Sequence, residues 1–395
     1  MDCDKLNQSL EGLRKLRDDL RSKVDFAIES GAGKQEIITA QQELSSLSDS
    51  ILAEYLPDFG ANFPGLTEWK PDDLKFVDTT IQNIFSLSDN QFAVAGTGGE
   101  LRIFSLRDGE WKSDGKVDGF GGRVNSIAQL QDNQYAVGGE KGQLKFFTLK
   151  NGRWEHGEVI AGFRTYDYIL AITQISDDQL AVGGGFSELD ILTLKDNKWE
   201  PSKKFTGFYN KGAIDVITKI SDNQFVIGGR GGMLRIFTLQ NGEWEPSEEI
   251  AGLVGEIKTI ISLSNDQFVI SGDRDKIKIF TLQDGEWEPG EEIIGFDGYI
   301  NAIAQLSDNL FVAGGTNYDP KFEHRSVLRF LTKTSDGKWE FSEKINAFDN
   351  IIYTITRLSN NQFVVGGEYR GLRVLTSIPP TLEDLKQAIA GGKIT

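Results

Sequence analysis

The sequence has few of the residues from which disulfide frameworks, metal sites and catalytic centres are built. Its 395 residues include one cysteine and two histidines. Cys3 has no partner for a disulfide within the chain, which favours a reducing compartment. His156 and His324 are too few for a His/Cys metal site. No Gly-x-Ser-x-Gly elbow or comparable nucleophile motif is apparent, so we expect a non-enzymatic protein without a cofactor.

Long apolar runs are also missing. No stretch approaches the roughly 18 apolar residues of a membrane span, and the charged start Met1–Lys5 lacks the apolar core of a signal peptide. The net charge of −17 disfavours nucleic acid and anionic membranes as partners, although solubility alone also explains an acidic surface. These features predict a cytoplasmic protein.

What the chain does have is a repeat. Seven tryptophans are separated by 42, 43, 45, 45, 43 and 52 residues, and a turn of the type Ser-Asp-Asn-Gln-Phe keeps the same spacing. A period of about 40–45 residues is the length of a four-stranded propeller blade. The tryptophans are Trp69, Trp111, Trp154, Trp199, Trp244, Trp287 and Trp339.

Residues 212–250 illustrate how one unit predicts four strands. A first apolar strand ends at the turn Ser221–Gln224, and the run Phe225–Gly229 is wholly apolar, as a strand buried on both faces should be. Met233–Leu239 alternates apolar and polar residues, and Asn241-Gly242 is a strong hairpin signal. The last segment, Glu243–Ile250, carries acids and a proline, which suit an exposed edge strand. We interpret the recurring Gly-Gly pairs as tight strand ends, since phosphate loops need a following helix.

The unit resembles the WD40-like propeller repeat over residues 66–378. The shared layout is a Gly-aromatic start such as Gly119-Phe120, then a strand, a turn, a Val-Gly-Gly-type strand end and a Leu-Arg-Ile-Phe-Thr-Leu-type strand. The chain departs from that family because no unit has the Trp-Asp dipeptide and Gly-Phe replaces Gly-His. The buried Asp-His-Ser-Trp network of the family is therefore expected to be missing. The resemblance implies an all-β, seven-bladed propeller with four-stranded antiparallel blades, and the near-identical copies favour a bacterial source.

The two ends of the repeat region predict how the ring closes. The segment Thr67–Pro71 matches the fourth strand of a unit, and Leu372–Thr376 matches the third. We therefore expect the N-terminal strand to complete the last blade, which leaves no open edges.

The segments outside the repeat have a helical period. Residues 1–60 contain apolar stripes over 4–55, interrupted at Ser30–Gly33, and predict a coiled-coil-like helical hairpin that docks on the propeller, self-associates or binds another helix. Its second half weakly resembles sporulation-type aspartyl-phosphate phosphatases through Asp49–Tyr55, although Ser45–Ser48 departs from that family's motif. Residues 379–395 predict a short C-terminal helix after two prolines.

Two loop classes are nearly uniform between the copies and two vary. The variable classes precede the first strands and join the second strands to the third; we call the end of the propeller where they lie the variable-loop face. Tyrosine and arginine, which are common at interface hot spots, are frequent there, so we predict a partner-binding surface, with neutral drift in solvent-exposed loops as the alternative. The candidate residues are Tyr166, Asp167, Tyr168, Tyr209, Arg230, Arg274, Tyr299, Tyr318, Arg325, Tyr369 and Arg370.

Two functions fit these patterns. The first is a protein–protein interaction scaffold or adaptor that holds one large partner on the variable-loop face. The second is a multivalent carbohydrate-binding lectin that uses the repeated tryptophans at equivalent clefts. The tryptophans could equally be packing residues that join the outer strand to its neighbours. Stoichiometry separates the two functions, since a lectin binds several equivalent ligands per chain.

Overall fold

A computed structural model describes most of the predicted repeat region. The helical hairpin predicted for residues 4–55 and the helix predicted for 379–395 lie outside the described residues. The described residues are 68–74, 80–117, 120, 122–131, 133–150, 153–161, 168–185, 188–206, 212–253, 255–272, 275–317, 326–334, 337–342, 345, 350–359, 362–368 and 371–378.

The chain divides into two compact units. The larger comprises Pro71–Leu306 and Leu310–Thr376 and contains nearly all of the described strands. The smaller comprises Met1–Lys70, Ser307–Asn309 and Ser377–Thr395, of which the described residues are 68–70, 307–309 and 377–378.

The described residues form 29 strands in seven sheets, in agreement with the predicted seven blades. The first six blades each use consecutive strands, and the seventh has the order β1-β29-β28-β27, so the predicted closure by the N-terminal strand is confirmed. The strands are, for blade 1, β2 Ile81–Ser88, β3 Gln91–Gly96, β4 Leu101–Arg107 and β5 Glu110–Val117; for blade 2, β6 Val124–Gln129, β7 Gln134–Gly139, β8 Gln143–Lys150 and β9 Arg153–Ala161; for blade 3, β10 Ile169–Ser176, β11 Gln179–Gly184, β12 Leu189–Lys195 and β13 Lys198–Phe205; for blade 4, β14 Ile214–Ser221, β15 Gln224–Gly229, β16 Met233–Gln240, β17 Glu243–Pro246 and β18 Ile250–Ala251; for blade 5, β19 Ile257–Ser264, β20 Gln267–Gly272, β21 Ile277–Gln283 and β22 Glu286–Ile293; for blade 6, β23 Gly298–Ser307, β24 Leu310–Asn317, β25 Ser326–Lys333 and β26 Trp339–Phe341; and for blade 7, β27 Ile352–Ser359, β28 Gln362–Gly367, β29 Leu372–Ile378 and β1 Glu68–Asp73.

Two 3₁₀ turns, Glu140–Gly142 and Arg230–Gly232, join second to third strands. The fourth strand of blade 4 differs from the prediction, because it is interrupted between β17 and β18. Ser247 causes the interruption: its backbone N–H donates to the Ile236 carbonyl at 2.7 Å, and its Oγ accepts from the Ile236 N–H at 3.2 Å. Both pieces still pair with β16.

Burial decreases from the second strand of each blade to the fourth, as the sequence pattern predicts. β15 is buried along Phe225–Gly229, whereas β13 alternates a few inward residues with an exposed, charged face. In blades 1, 4 and 5 the second and third strands pair two phenylalanines whose rings stack; Phe225 and Phe237 lie 4.7 Å apart at 3°. The tryptophan of the fourth strand then packs edge-on against this pair, as Trp244 does against Phe225 at 4.8 Å.

The third hairpin turn follows the turn chemistry expected from its sequence. Asn241 and Gly242 have φ values of 52° and 83°. Positive φ at both central residues is the requirement of a type I′ turn, which Asn-Gly and Asp-Gly meet at little cost. Asp108-Gly109 and Asp284-Gly285 repeat the geometry.

The Gly-Gly pairs at the ends of the second strands permit close packing in two directions. A Cβ on Gly366 would lie 2.6 Å from Cγ2 of Ile81 in blade 1, and one on Gly367 would lie 2.1 Å from the carbonyl oxygen of Ile351. The first glycine of the pair thus makes room for the next blade and the second for the first strand of its own blade. These pairs are strand ends, as the sequence analysis expects.

Side chains on the first strands link each blade to the next. The ring closes where Thr356 Oγ1 donates to the Ile84 carbonyl at 2.8 Å and the Ile84 N–H donates to Thr354 Oγ1 at 3.3 Å. Other links include Asn83 to the Val124 carbonyl, Asn125 to the Ile169 carbonyl, Thr173 to the Ile217 carbonyl, Thr218 to the Ile260 carbonyl, Lys258 to Asn301 Oδ1, and Asn301 to the Ile352 carbonyl.

Candidate functional site

The variable loops of one blade meet at the same end of its strands. In blade 4, Ile214 at the start of the first strand pairs with Gly229 at the end of the second. The loop before Ile214 and the turn after Gly229 therefore lie side by side. The same pairing joins Ile169 to Gly184 in blade 3.

Three of the predicted partner-binding residues are described. Tyr168 and Tyr299 occupy the same position, immediately before the first isoleucine of the first strand in blades 3 and 6, and are 49% and 42% exposed. Arg230 begins the 3₁₀ turn of blade 4, and its Nε lies 3.5 Å from Oε1 of Glu256 in blade 5. The other eight candidates lie outside the described residues: Tyr166, Asp167, Tyr209, Arg274, Tyr318, Arg325, Tyr369 and Arg370.

In blades 1 to 5 and 7, a register shift near the start of the first strand leaves one bulged residue. In blade 4 the shift lies between Ile214 and Val216, which leaves Asp215 as the bulged residue. β-Bulges commonly redirect a side chain in this way. The residues at this position differ from blade to blade although the flanking isoleucines barely change; they are Gln82, Asn125, Leu170, Asp215, Lys258, Asn301 and Tyr353.

Several of these residues form hydrogen bonds across the blade junctions. Lys258 Nζ donates to Asn301 Oδ1 at 2.9 Å, and Asn301 Nδ2 donates to the Ile352 carbonyl at 2.8 Å. Tyr353 Oη donates to Glu368 Oε1 at 3.2 Å. The bulge positions of blades 5 to 7 are therefore held rigidly by polar contacts.

Asp215 is the one acidic residue of this set. Burial, and then the nearby Glu256 carboxylate, raise the pKa of Asp215 to about 7, against the opposing effects of Arg230 and Lys258. Its Oδ2 is buried and has no hydrogen-bond partner among the described residues. This carboxyl can therefore gain or lose a proton near neutral pH, within a cluster that also contains two basic groups.

The chemistry available at this cluster is charge recognition. Carboxyl groups and basic groups alternate there, and no group of three His, Cys, Asp or Glu side chains in the described part of the chain is placed to hold a metal ion.

Sequence reasoning did not identify Asp215, Glu256, Lys258 or Asn301. The available signal was the variation at a fixed register position inside strands that are otherwise nearly identical.

The tryptophans pack within the blades in all but one of the copies whose rings are described. Trp111, Trp244 and Trp287 each contact the phenylalanine of the second strand in their own blade at 4.8 Å, and Trp154 contacts Tyr135 at 4.7 Å. Trp339 contacts Phe311 at 5.1 Å. Trp199 differs, because it stacks on Phe146 of the preceding blade at 6.0 Å and 6°.

Comparisons with solved structures identify the fold as that of WD40 β-propellers. The chain is similar to the WD40 propeller domain of Doa1 (TM-score 0.62, 15% identity, 78% of this chain and 97% of that one). It is equally similar to the WD40 repeats of RRP9 (0.62, 15%, 79% and 100%) and to U3-55K (0.61, 15%, 78% and 98%). No protein-family profile and no curated protein sequence matches. Within the described residues, no helix has the length and apolar character needed to cross a bilayer.

Proposed function

We propose that this protein is a non-enzymatic interaction scaffold that binds a protein partner on the variable-loop face. The observation that supports this most is the pair Tyr168 and Tyr299, two large side chains exposed at equivalent positions of a rigid frame. Large aromatic side chains at the centre of a surface contribute most of the binding free energy in protein interfaces. The neighbouring cluster of Arg230, Glu256 and Asp215 adds charges of both signs, which provide specificity.

Charge and composition support the remaining parts of the proposal. A chain with a net charge of −17 is a poor partner for nucleic acid or anionic membranes, and we place its action in the cytoplasm. The predicted helical segment over residues 4–55 supplies a second contact, through self-association or a second partner. We favour the scaffold over the multivalent lectin because Trp111, Trp199 and Trp244 are at most 8% exposed and thus offer little ring surface to a sugar.

Capture of partners by the full-length chain and its variants tests the scaffold. The double variant Tyr168→Ala with Tyr299→Ala should bind a captured partner about thirtyfold more weakly, or worse. The reason is that truncation of a hot-spot residue costs about 2 kcal/mol of binding free energy. The matched control is Val159→Ala, because Val159 is 51% exposed but lies on the outermost strand of blade 2.

Retention of the partner is compared between the wild-type chain, the tyrosine variant and the control. A partner retained by the wild-type chain and the control, and lost from the tyrosine variant, supports the variable-loop face. Equal retention by all three chains contradicts it. Measured affinities of purified partner and variants should show the same order.

A further inference from the structure

A cavity of about 330 Å³ lies between blades 2 and 3, at the end of the strands opposite to the variable-loop face. Blade 2 lines it with the turn before β7, with β8 and with Glu158 of β9. Blade 3 lines it with Gln174, Asp177 and the third hairpin turn at Asn197. The volume is at the lower end of the range of about 300–1,000 Å³ that is usual for small-molecule sites.

The sequence of blade 3 explains why the blades separate here. In blades 1, 4 and 5 two facing phenylalanines fill this part of the blade, whereas blade 3 pairs Leu180 with Leu192. Trp199 therefore has no ring in its own blade to pack against, and it stacks across the junction on Phe146. Both stacked rings, Trp199 and Phe146, line the cavity between the two blades.

The junction between blades 2 and 3 also lacks side-chain hydrogen bonds that are present elsewhere in the described part of the propeller. At the next junction, Trp244 Nε1 donates to Oε1 of Gln179, the turn glutamine of the preceding blade, at 2.8 Å. The equivalent pair is Trp199 and Gln134, and no such bond forms. In blades 1, 4, 5 and 7 the turn glutamine instead bonds a hydroxyl on the third strand at 2.9–3.3 Å. Among the described residues, Gln134 makes neither contact.

The lining decides which ligands fit. Glu158 and Asp177 are its two acids, and no Lys, Arg or His takes part, so anionic compounds such as phosphates are disfavoured. Most of the other polar groups are the side-chain amides of Gln131, Gln134, Gln174 and Asn197, of which Gln174 also donates to the Asp177 carbonyl at 3.3 Å. An amide both donates and accepts hydrogen bonds, and hydroxyl groups do the same. An ammonium or guanidinium group donates hydrogen bonds and accepts none, so it would pair with the carboxylates but leave the amide N–H groups without an acceptor.

We propose that this cavity binds one neutral polyhydroxylated ligand per chain, of the size of a mono- or disaccharide. The hydroxyls pair with the amides and the two carboxylates, and the carbon skeleton lies against the apolar wall of Phe146, Leu194 and Leu130. This site goes beyond the proposed scaffold function, because it is a small-molecule site at the opposite end of the blades.

Titration of the purified full-length chain with neutral sugars tests the site. The probes are glucose, galactose, mannose, N-acetylglucosamine and their common disaccharides, followed by calorimetry and tryptophan fluorescence. We expect one bound sugar per chain. Gln134→Ala should weaken that binding by about tenfold, the upper range for loss of one neutral hydrogen bond. Its matched control is Gln224→Ala in blade 4, whose amide is already bonded to Thr238 Oγ1 at 3.3 Å.

A second variant fills the cavity. Leu194→Phe enlarges a side chain that lines the cavity and should abolish sugar binding. Gln134 is exposed, so Gln134→Ala keeps the test decisive if the filled variant does not fold. Absence of sugar binding, several sugars per chain, equal effects of Gln134→Ala and Gln224→Ala, or binding of methylguanidinium in place of sugars would each overturn the proposal.

Discussion

The junctions between blades 2 and 3 and between blades 3 and 4 are alike at one end and different at the other. At the variable-loop face both junctions are tight: a Cβ on Gly138 would lie 2.4 Å from Ile169, and one on Gly183 would lie 2.6 Å from Ile214. At the opposite end the 3/4 junction is closed by the Trp244–Gln179 hydrogen bond, and the 2/3 junction contains the cavity. The glycines and isoleucines thus set the spacing of the blades, and the aromatic residues determine whether the opposite end of each junction is filled.

Truncation of the two tryptophans is expected to give the largest difference between these junctions. Trp244→Ala should lower the free energy of unfolding by about 4 kcal/mol, because it removes a buried indole, its edge contact with Phe225 and its hydrogen bond. Trp199→Ala should lower it by about 2 kcal/mol, since this ring already borders unfilled space. Urea denaturation of both variants measures the difference, and an equal or larger loss for Trp199→Ala would contradict it.

The junction between blades 4 and 5 extends the comparison to the charged side chains at the variable-loop face. Because the pKa of Asp215 in the folded protein is about 7, against 3.8 for the ordinary side chain, the folded state holds a proton that the unfolded state releases between these values. The stability contributed by this group is therefore complete below pH 4 and declines as the pH rises to about 7. Asp215→Asn should remove this decline, and we expect it to be about 2 kcal/mol more stable than wild type at pH 8. This is roughly half of the full shift at 1.36 kcal/mol per pKa unit, discounted for partial exposure.

The control for this prediction is Asp222→Asn in the same blade. Its exposed carboxylate bonds to Lys219, which lowers the pKa of Asp222 below the ordinary value. It is ionised in both states between pH 5 and 8, so its replacement should leave the pH dependence over that range unchanged. Denaturation at a series of pH values compares the variants. A parallel dependence for Asp215→Asn and wild type would show that Asp215 titrates normally.

The repeat, its four strands and its closure were predictable because their signals are local or periodic. Asn241-Gly242 specifies its turn within two residues, and the wholly apolar run at Phe225 needs no knowledge of its neighbours. The Asp215 cluster was not predictable in this way, since Arg230 comes from another strand and Glu256 from another blade. The cavity is intermediate: Leu180 is visibly unlike the aromatic residue in most other copies, but its consequence depends on Phe146 across the junction.

The smallest expected effect concerns the two turn glutamines that distinguish the junctions. Gln179→Ala should lower the free energy of unfolding by about 1 kcal/mol, because it leaves the buried Nε1 of Trp244 without its acceptor. Gln134→Ala should leave stability within about 0.5 kcal/mol of wild type, as is usual for surface substitutions. Combining Gln179→Ala with Trp244→Phe gives a double-mutant cycle that isolates the hydrogen bond. A coupling near zero would mean that the closed junction depends on ring packing alone, and that the unbonded Gln134 is no sign of an open site.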